Sequence, residues 1–96
     1  MEEILRKYPE RVPVIIDEQS DFTIDRKKYL IPREMTLGNF SAYIRKQIHL
    51  EKSEAMFILI NGVLPPISST IETLYIMHVK EDRLLHVILK KENTFG

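Results

Sequence analysis

The order of apolar and polar positions along the chain divides it into strands, helices and turns. Residues 2–7 allow a short helical turn, halted by Pro9. Residues 12–17 form an apolar, β-branched run that reads as a strand, with Pro13 suiting an end or an edge position. A polar, turn-like stretch at 18–21 precedes a second short strand over 27–31, closed by Pro32. Thr36 is placed to cap a helix reaching Ile48, on which Leu37, Phe40, Ile44 and Ile48 recur with the helical period. Tyr43 falls on the flank of that stripe, near Phe40. Residues 56–60 are continuously apolar, as in a strand covered on both faces. Asn61-Gly62 follows, a pair that tolerates the positive φ angles of a two-residue hairpin. The returning strand is short because Pro65-Pro66 ends it. Ser69 with Glu72 fits a capping box for a second helix extending to Val79. Residues 84–89 form a last strand.

The expected fold class is therefore α+β: a β-grasp with a mixed four- to five-stranded sheet wrapped around one long helix. This arrangement satisfies each apolar face in the series. A generic α+β sandwich with another strand order is the alternative, since periodicity does not determine topology. Residues 1–90 read as one domain, including a residual N-terminal helical segment at 1–8, and 91–96 as a flexible tail.

Composition narrows function mainly by exclusion. Fourteen basic residues balance fourteen acidic ones over 96 residues, so the phosphate-neutralising surplus of a nucleic-acid binder is missing. There is no cysteine, which removes thiol nucleophiles, disulfides and cysteine-ligated metals together. His49, His78 and His86 lack metal-ligand spacing and read as structural or surface residues. No Ser-His-Asp arrangement, phosphate loop or paired-carboxylate motif is evident, so neither an enzyme nor a cofactor is expected. The longest apolar run is far short of the roughly 20 residues of a membrane-spanning helix, and Met1-Glu2-Glu3-Ile4 lacks signal-peptide charge. The expectation is a cytosolic protein whose membrane association is added chemically or through a partner.

Five blocks carry a family likeness. Lys7-Tyr8-Pro9-Glu10-Arg11-Val12-Pro13-Val14-Ile15, Lys27-Lys28-Tyr29-Leu30-Ile31-Pro32, Ile44-Arg45-Lys46, Asn61-Gly62-Val63-Leu64-Pro65-Pro66 and Glu92-Asn93-Thr94-Phe95-Gly96 resemble segments of the GABARAP and light-chain-three family of autophagy modifiers. They stand in that family's order and nearly in its spacing. The resemblance implies a ubiquitin-like β-grasp fold and conjugation of Gly96 to phosphatidylethanolamine by activating and conjugating enzymes, with residence on autophagosomal or related vesicle membranes. A processing or delipidating protease is a further implied partner. A glycine suits the conjugated position because it has no side chain to obstruct a narrow channel.

The resemblance also implies capture of short peptides, with acidic flanks around aromatic and aliphatic anchors, as an added strand on the edge at 28–31. Carried over by position, Ile4, Pro13, Ile15, Lys28, Leu30 and Leu84 line a first pocket. Tyr29, Ile31, Pro32, Met35, Phe40 and Tyr43 contribute to a second. Lys27, Lys28, Arg45 and Lys46 are expected nearby to attract acidic flanks, with affinities around micromolar. On periodicity alone, Ile15, Phe40 and Ile44 are packing residues, the four basic residues are a solvated face, and Met56 and Phe57 are core and hairpin residues.

The chain departs from the family in several places. Only residues 1–7 stand before the Tyr8-Pro9 block, where the family usually has two helices, so the first pocket is expected to lose part of its rim. The connection between the first two strands is shorter. Gln47 replaces a common basic residue, and Leu84 an aromatic. Two other functions stand beside the lipid-conjugated modifier: a non-conjugated adaptor that keeps only the groove, and a β-grasp sulfur carrier, against which Phe95 before Gly96 argues because such carriers end in Gly-Gly.

Overall fold

Alternation in Arg11–Ile16 sends Val12, Val14 and Ile16 to one side, and all three are buried in the core. The computed structural model describes residues 9–51 and 53–91. The helical turn expected at 2–7 lies outside the described residues. Within them the elements run β1 (Arg11–Ile16), β2 (Lys28–Pro32), α1 (Leu37–Gln47), β3 (Phe57–Leu59), α2 (Ile71–His78) and β4 (Leu85–Lys90). The four strands form a mixed sheet in the order β2-β1-β4-β3. β1 is antiparallel to β2 and parallel to β4, and β3 is antiparallel to β4. This is the ubiquitin-like fold.

One face of the sheet carries Tyr29 and Ile31 from β2, Ile58 from β3, and Leu85, Val87 and Leu89 from β4. Against it pack Leu37, Phe40 and Ile44 from α1, and Ile71 and Leu74 from α2. Ile48 and Tyr43 are half-buried against this core, as their angular positions on the helix require. No polar or charged residue is buried among the described residues.

Pro13 occupies the middle of the sheet, because β1 is central and not an edge strand. The hydrogen-bond parity explains why it is tolerated. The Ile16 amide donates to Lys27 and the Asp17 amide to Val87, both at 2.8 Å, so even positions of β1 turn to β2 and odd ones to β4. The missing N–H of Pro13 therefore faces β4 one residue before that ladder begins at Val14↔Leu85, and no bond is lost.

Asn61 and Gly62 have φ of 50° and 81°, and Ile60 and Val63 exchange both backbone hydrogen bonds across them. The hairpin turn forms as its sequence requires. The returning strand is reduced to that single bridge, since neither Pro65 nor Pro66 carries a donor to extend it. The second helix is capped one residue later than expected. Thr70, not Ser69, accepts the Thr73 amide at 3.2 Å, while the Ser69 carbonyl accepts from Leu37 and Glu72 reaches Arg33 at 3.7 Å.

Thr36 caps α1 by accepting the Asn39 amide at 3.1 Å. Its backbone bridges to Thr70, so the two helix starts are stitched together. Thr36→Ala is expected to cost about 1 kcal/mol and to lower the melting temperature by about 4–8 °C. Thr36→Ser should restore it, and an unchanged melting temperature for the alanine variant would show that the cap is dispensable.

Candidate functional site

β2 is one edge strand of the sheet and β3 the other, and the sequence of β2 determines what its edge offers. Since Lys27 pairs with Ile16, the backbone groups of Tyr29 and Ile31 turn toward β1, and those of Lys28 and Leu30 turn outward. The two outward carbonyls are each met by an arginine. Arg11 donates from Nη1 to Leu30, and Arg26 from Nε to Lys28, both at 3.1 Å. The Pro32 carbonyl accepts from the Met35 amide at 3.1 Å. Among the described residues the outward amides of Lys28 and Leu30 meet no hydrogen-bond acceptor, as in an exposed strand before another strand joins it.

Between this edge and α1 lies a concavity of about 340 Å³, lined by Arg11, Arg26, Tyr29, Leu30, Ile31, Pro32, Met35 and Tyr43. Tyr29 and Tyr43 meet edge to face with ring centroids 5.9 Å apart, a favourable arrangement of ring quadrupoles. The Tyr29 hydroxyl donates to the Arg26 carbonyl at 2.7 Å, and the Arg26 guanidinium lies 5.2 Å from the Tyr29 ring centre. Burial raises the Tyr29 pKa above its ordinary value, Tyr43 adds to the rise, and Arg26 opposes it. The phenol is therefore a neutral donor at physiological pH, and the charge at this site comes from the two guanidinium groups.

On the outer face of the sheet the register sets Pro13 opposite Leu30 and Ile15 opposite Lys28. His86 lies beside Ile15 on β4. Leu84 shares the parity of His86 and is 8% exposed, yet it stands outside the main core. His86 is held by Asp82 at 2.6 Å, with Asp17 4.0 Å from its other ring nitrogen. The Leu84 amide does most to hold the Asp82 carboxyl below its usual pKa; desolvation opposes it, and His86 and Lys80 add smaller lowering effects. Ionised Asp82 thus orients the imidazole at the border of this apolar row.

The structure separates Phe40, Arg45 and Lys46 from the groups assigned to them by sequence. Phe40 is fully buried, 0% exposed, and does not line the concavity. Arg45 turns away, donating to the Glu51 carbonyl at 2.7 Å and lining a separate depression with Lys46 and His49. Ile4 and Gly96 lie outside the described residues. Among the described residues, no group of three or more His, Cys, Asp or Glu side chains could hold a metal ion. Within the same limit, no helix is long and apolar enough to cross a membrane.

A family model described as "Autophagy protein Atg8 ubiquitin like" matches residues 1–96. The chain belongs to the Atg8 family. It is 44% identical over 96 residues to autophagy-related protein 8 of Schizosaccharomyces pombe, covering 97% of this chain and 79% of that one. It is 45% identical over 98 residues to the protein of the same name from Aspergillus niger, covering 99% and 83%. Among solved structures, Trypanosoma brucei ATG8 superimposes with a TM-score of 0.86 at 32% identity, over 99% of this chain and 84% of that one. Plasmodium falciparum Atg8, solved in complex with a peptide of Plasmodium falciparum Atg3, gives 0.85 at 26% identity, over 98% and 86%.

Within this Atg8-family fold, sequence reasoning missed Arg11 and Arg26 as members of the site. Both sit at the ends of the edge strand: Arg11 pairs with Pro32 in register, and Arg26 lies two residues before Lys28. Strand ends adjoining an open edge were the available signal. It becomes usable only once the register that sets Arg11 opposite Pro32 is known.

Proposed function

We propose that this Atg8-family chain is a ubiquitin-like modifier, conjugated through Gly96 to phosphatidylethanolamine, that recruits cargo receptors and adaptors by strand addition at β2. The observation that carries the reading is the β2 edge itself. Two outward amides, on Lys28 and Leu30, border an apolar concavity rimmed by two cations. An extended peptide gains backbone bonds from such an edge and side-chain anchorage from the pockets beside it. Met35, Tyr43, Ile31 and Pro32 receive one anchor, and Pro13, Ile15, Lys28, Leu30 and Leu84 receive the other on the outer face. Arg11 and Arg26 attract acidic flanks. The Plasmodium relative's complex with an Atg3 peptide supports a conjugating enzyme as one partner.

In the conjugation cycle the chain supplies only an acyl group. The Gly96 carboxylate displaces pyrophosphate from ATP, forming an acyl adenylate, and an enzyme thiolate then displaces AMP to give a thioester. The lipid amine attacks that carbonyl: the C–N bond forms, the C–S bond breaks, and the ammonium proton is lost as the thiolate leaves. The two acyl chains of the lipid then anchor a neutral domain stably. The protein is cytoplasmic before this reaction and bound to vesicle membranes after it.

The test is reconstitution with cognate activating and conjugating enzymes, ATP and phosphatidylethanolamine liposomes. The natural chain should gain one lipid by mass, and Gly96→Ala should gain none. A chain that binds peptide but takes no lipid is an adaptor outside the cycle, and a sulfur-for-oxygen mass change would identify a sulfur carrier.

A further inference from the structure

The ladder between β1 and β4 stops at Ile16↔Val87, three residues before β4 ends. Past that point the flank of β4 would be bare, with the amide and carbonyl of Leu89 unpaired on that side. The connection after β1 covers them. The Asp21 amide donates to the Leu89 carbonyl at 2.7 Å, and the Leu89 amide donates to Ser20 Oγ at 2.9 Å. One step further, the Lys91 amide donates to Asp21 Oδ2 at 2.9 Å. The other carboxylate oxygen, Oδ1, lies 3.8 Å from Lys90 Nζ, and Lys91 Nζ lies 5.7 Å from the Phe22 ring centre. On the opposite flank, β3 pairs with β4 as far as Lys90 and no further. Asp21 is thus the side chain that holds the backbone of Lys91.

Gly96 is five residues beyond Lys91 in sequence. A chain of five residues spans at most about 17–18 Å when extended, so the position at which Lys91 is held limits where the Gly96 carbonyl can be presented. We infer that Ser20 and Asp21 clamp the end of β4 and thereby set the reach and direction of the segment bearing Gly96 during conjugation. They act as positioning residues for that reaction and touch none of its reacting atoms. The inference rests on the conjugation reading above. Misplacing a reacting group by about 1 Å can cost a hundredfold in rate, and each residue of tail is worth about 3.5 Å.

The experiment compares the intact chain with Ser20→Ala/Asp21→Ala, each with its natural tail and with Asn93 deleted, in the liposome reaction. The deletion should slow lipid attachment at least tenfold in the clamped chain. In the clamp-free chain, which can release Lys91 to lengthen its tail, the same deletion should cost no more than about threefold. The triple change should then react faster than the deletion alone. General destabilisation would make it slower, which gives the clamp its own signature. Equal slowing in both backgrounds overturns the inference while leaving the modifier reading intact. Absence of any lipid adduct on the unaltered chain overturns that reading, and the inference with it. Hydrogen exchange provides a second measurement, free of the enzymes: the Leu89 and Lys91 amides should exchange faster in the clamp variant while Val87 does not. Unchanged exchange at both would also overturn the clamp.

Discussion

Truncating Phe40 to alanine is expected to remove about 3–5 kcal/mol of stability. Its ring is wholly enclosed, and the surrounding Val, Ile and Leu side chains of the sheet and helices cannot collapse fully into the space left behind. A domain of this size has only about 5–15 kcal/mol in total, and a chain of fewer than 100 residues sits toward the lower end. Thermal unfolding should therefore shift down by at least about 12 °C, and part of the population should be unfolded at physiological temperature. Phe40→Leu, which keeps most of the volume, should lose much less. If instead the alanine variant melted within a few degrees of the natural chain while peptide binding collapsed, Phe40 would be a groove residue and its enclosure misleading.

The second large effect concerns binding and leaves the fold in place. Lys28 and Leu30 lie on the outer face of β2, with neither in the core, so Lys28→Ala/Leu30→Ala should unfold at nearly the natural temperature. Its effect should appear in calorimetric titration with an acidic-flanked peptide bearing an aromatic anchor. Such an anchor buries roughly 150–250 Å², a gross gain of about 4–6 kcal/mol, much of which ordering the peptide offsets. Removing the Leu30 wall forfeits about 1.5–3 kcal/mol of apolar contact, and losing the exposed Lys28 charge about 0.2–1 kcal/mol more. Together these weaken a micromolar complex by a factor of about 20 to 1,000, to a Kd between tens of micromolar and about millimolar. An affinity within threefold of the natural chain would remove the outer face of β2 from the site.

The two variants also separate two roles that sequence reading assigned to one stretch. Phe40 follows the helical period with Leu37 and Ile44, and its carry-over from the family placed it in a pocket as well. The structure encloses it fully in the core, and it does not line that pocket. Arg45, four residues after Ser41 on the same helix, was expected beside the groove. Its helical position turns it toward Glu51 instead.

Local pattern determined a good deal of this protein. The apolar stripe of α1, the alternation in β1, the Asn61-Gly62 turn and the stop at Pro65-Pro66 depend on groups no more than about four residues apart, the range over which helical and strand periods act. The family blocks carried the fold class further, because five segments in register constrain topology where periodicity alone does not. The resemblance implied an edge at 28–31, but the strand's own residues do not, since edge status depends on whether another strand lies alongside; which strands lie side by side was decided only by the tertiary structure. That decision made β1 central despite Pro13, and brought Arg11 and Arg26 to the groove. It also joined Ser20 and Asp21 to Leu89 and Lys91 across 69 and 70 residues of chain. Hydrogen bonds over such a separation leave no period in the sequence. They exist because the parallel pairing of β1 with β4 ends early and exposes backbone groups that the following loop is in position to satisfy.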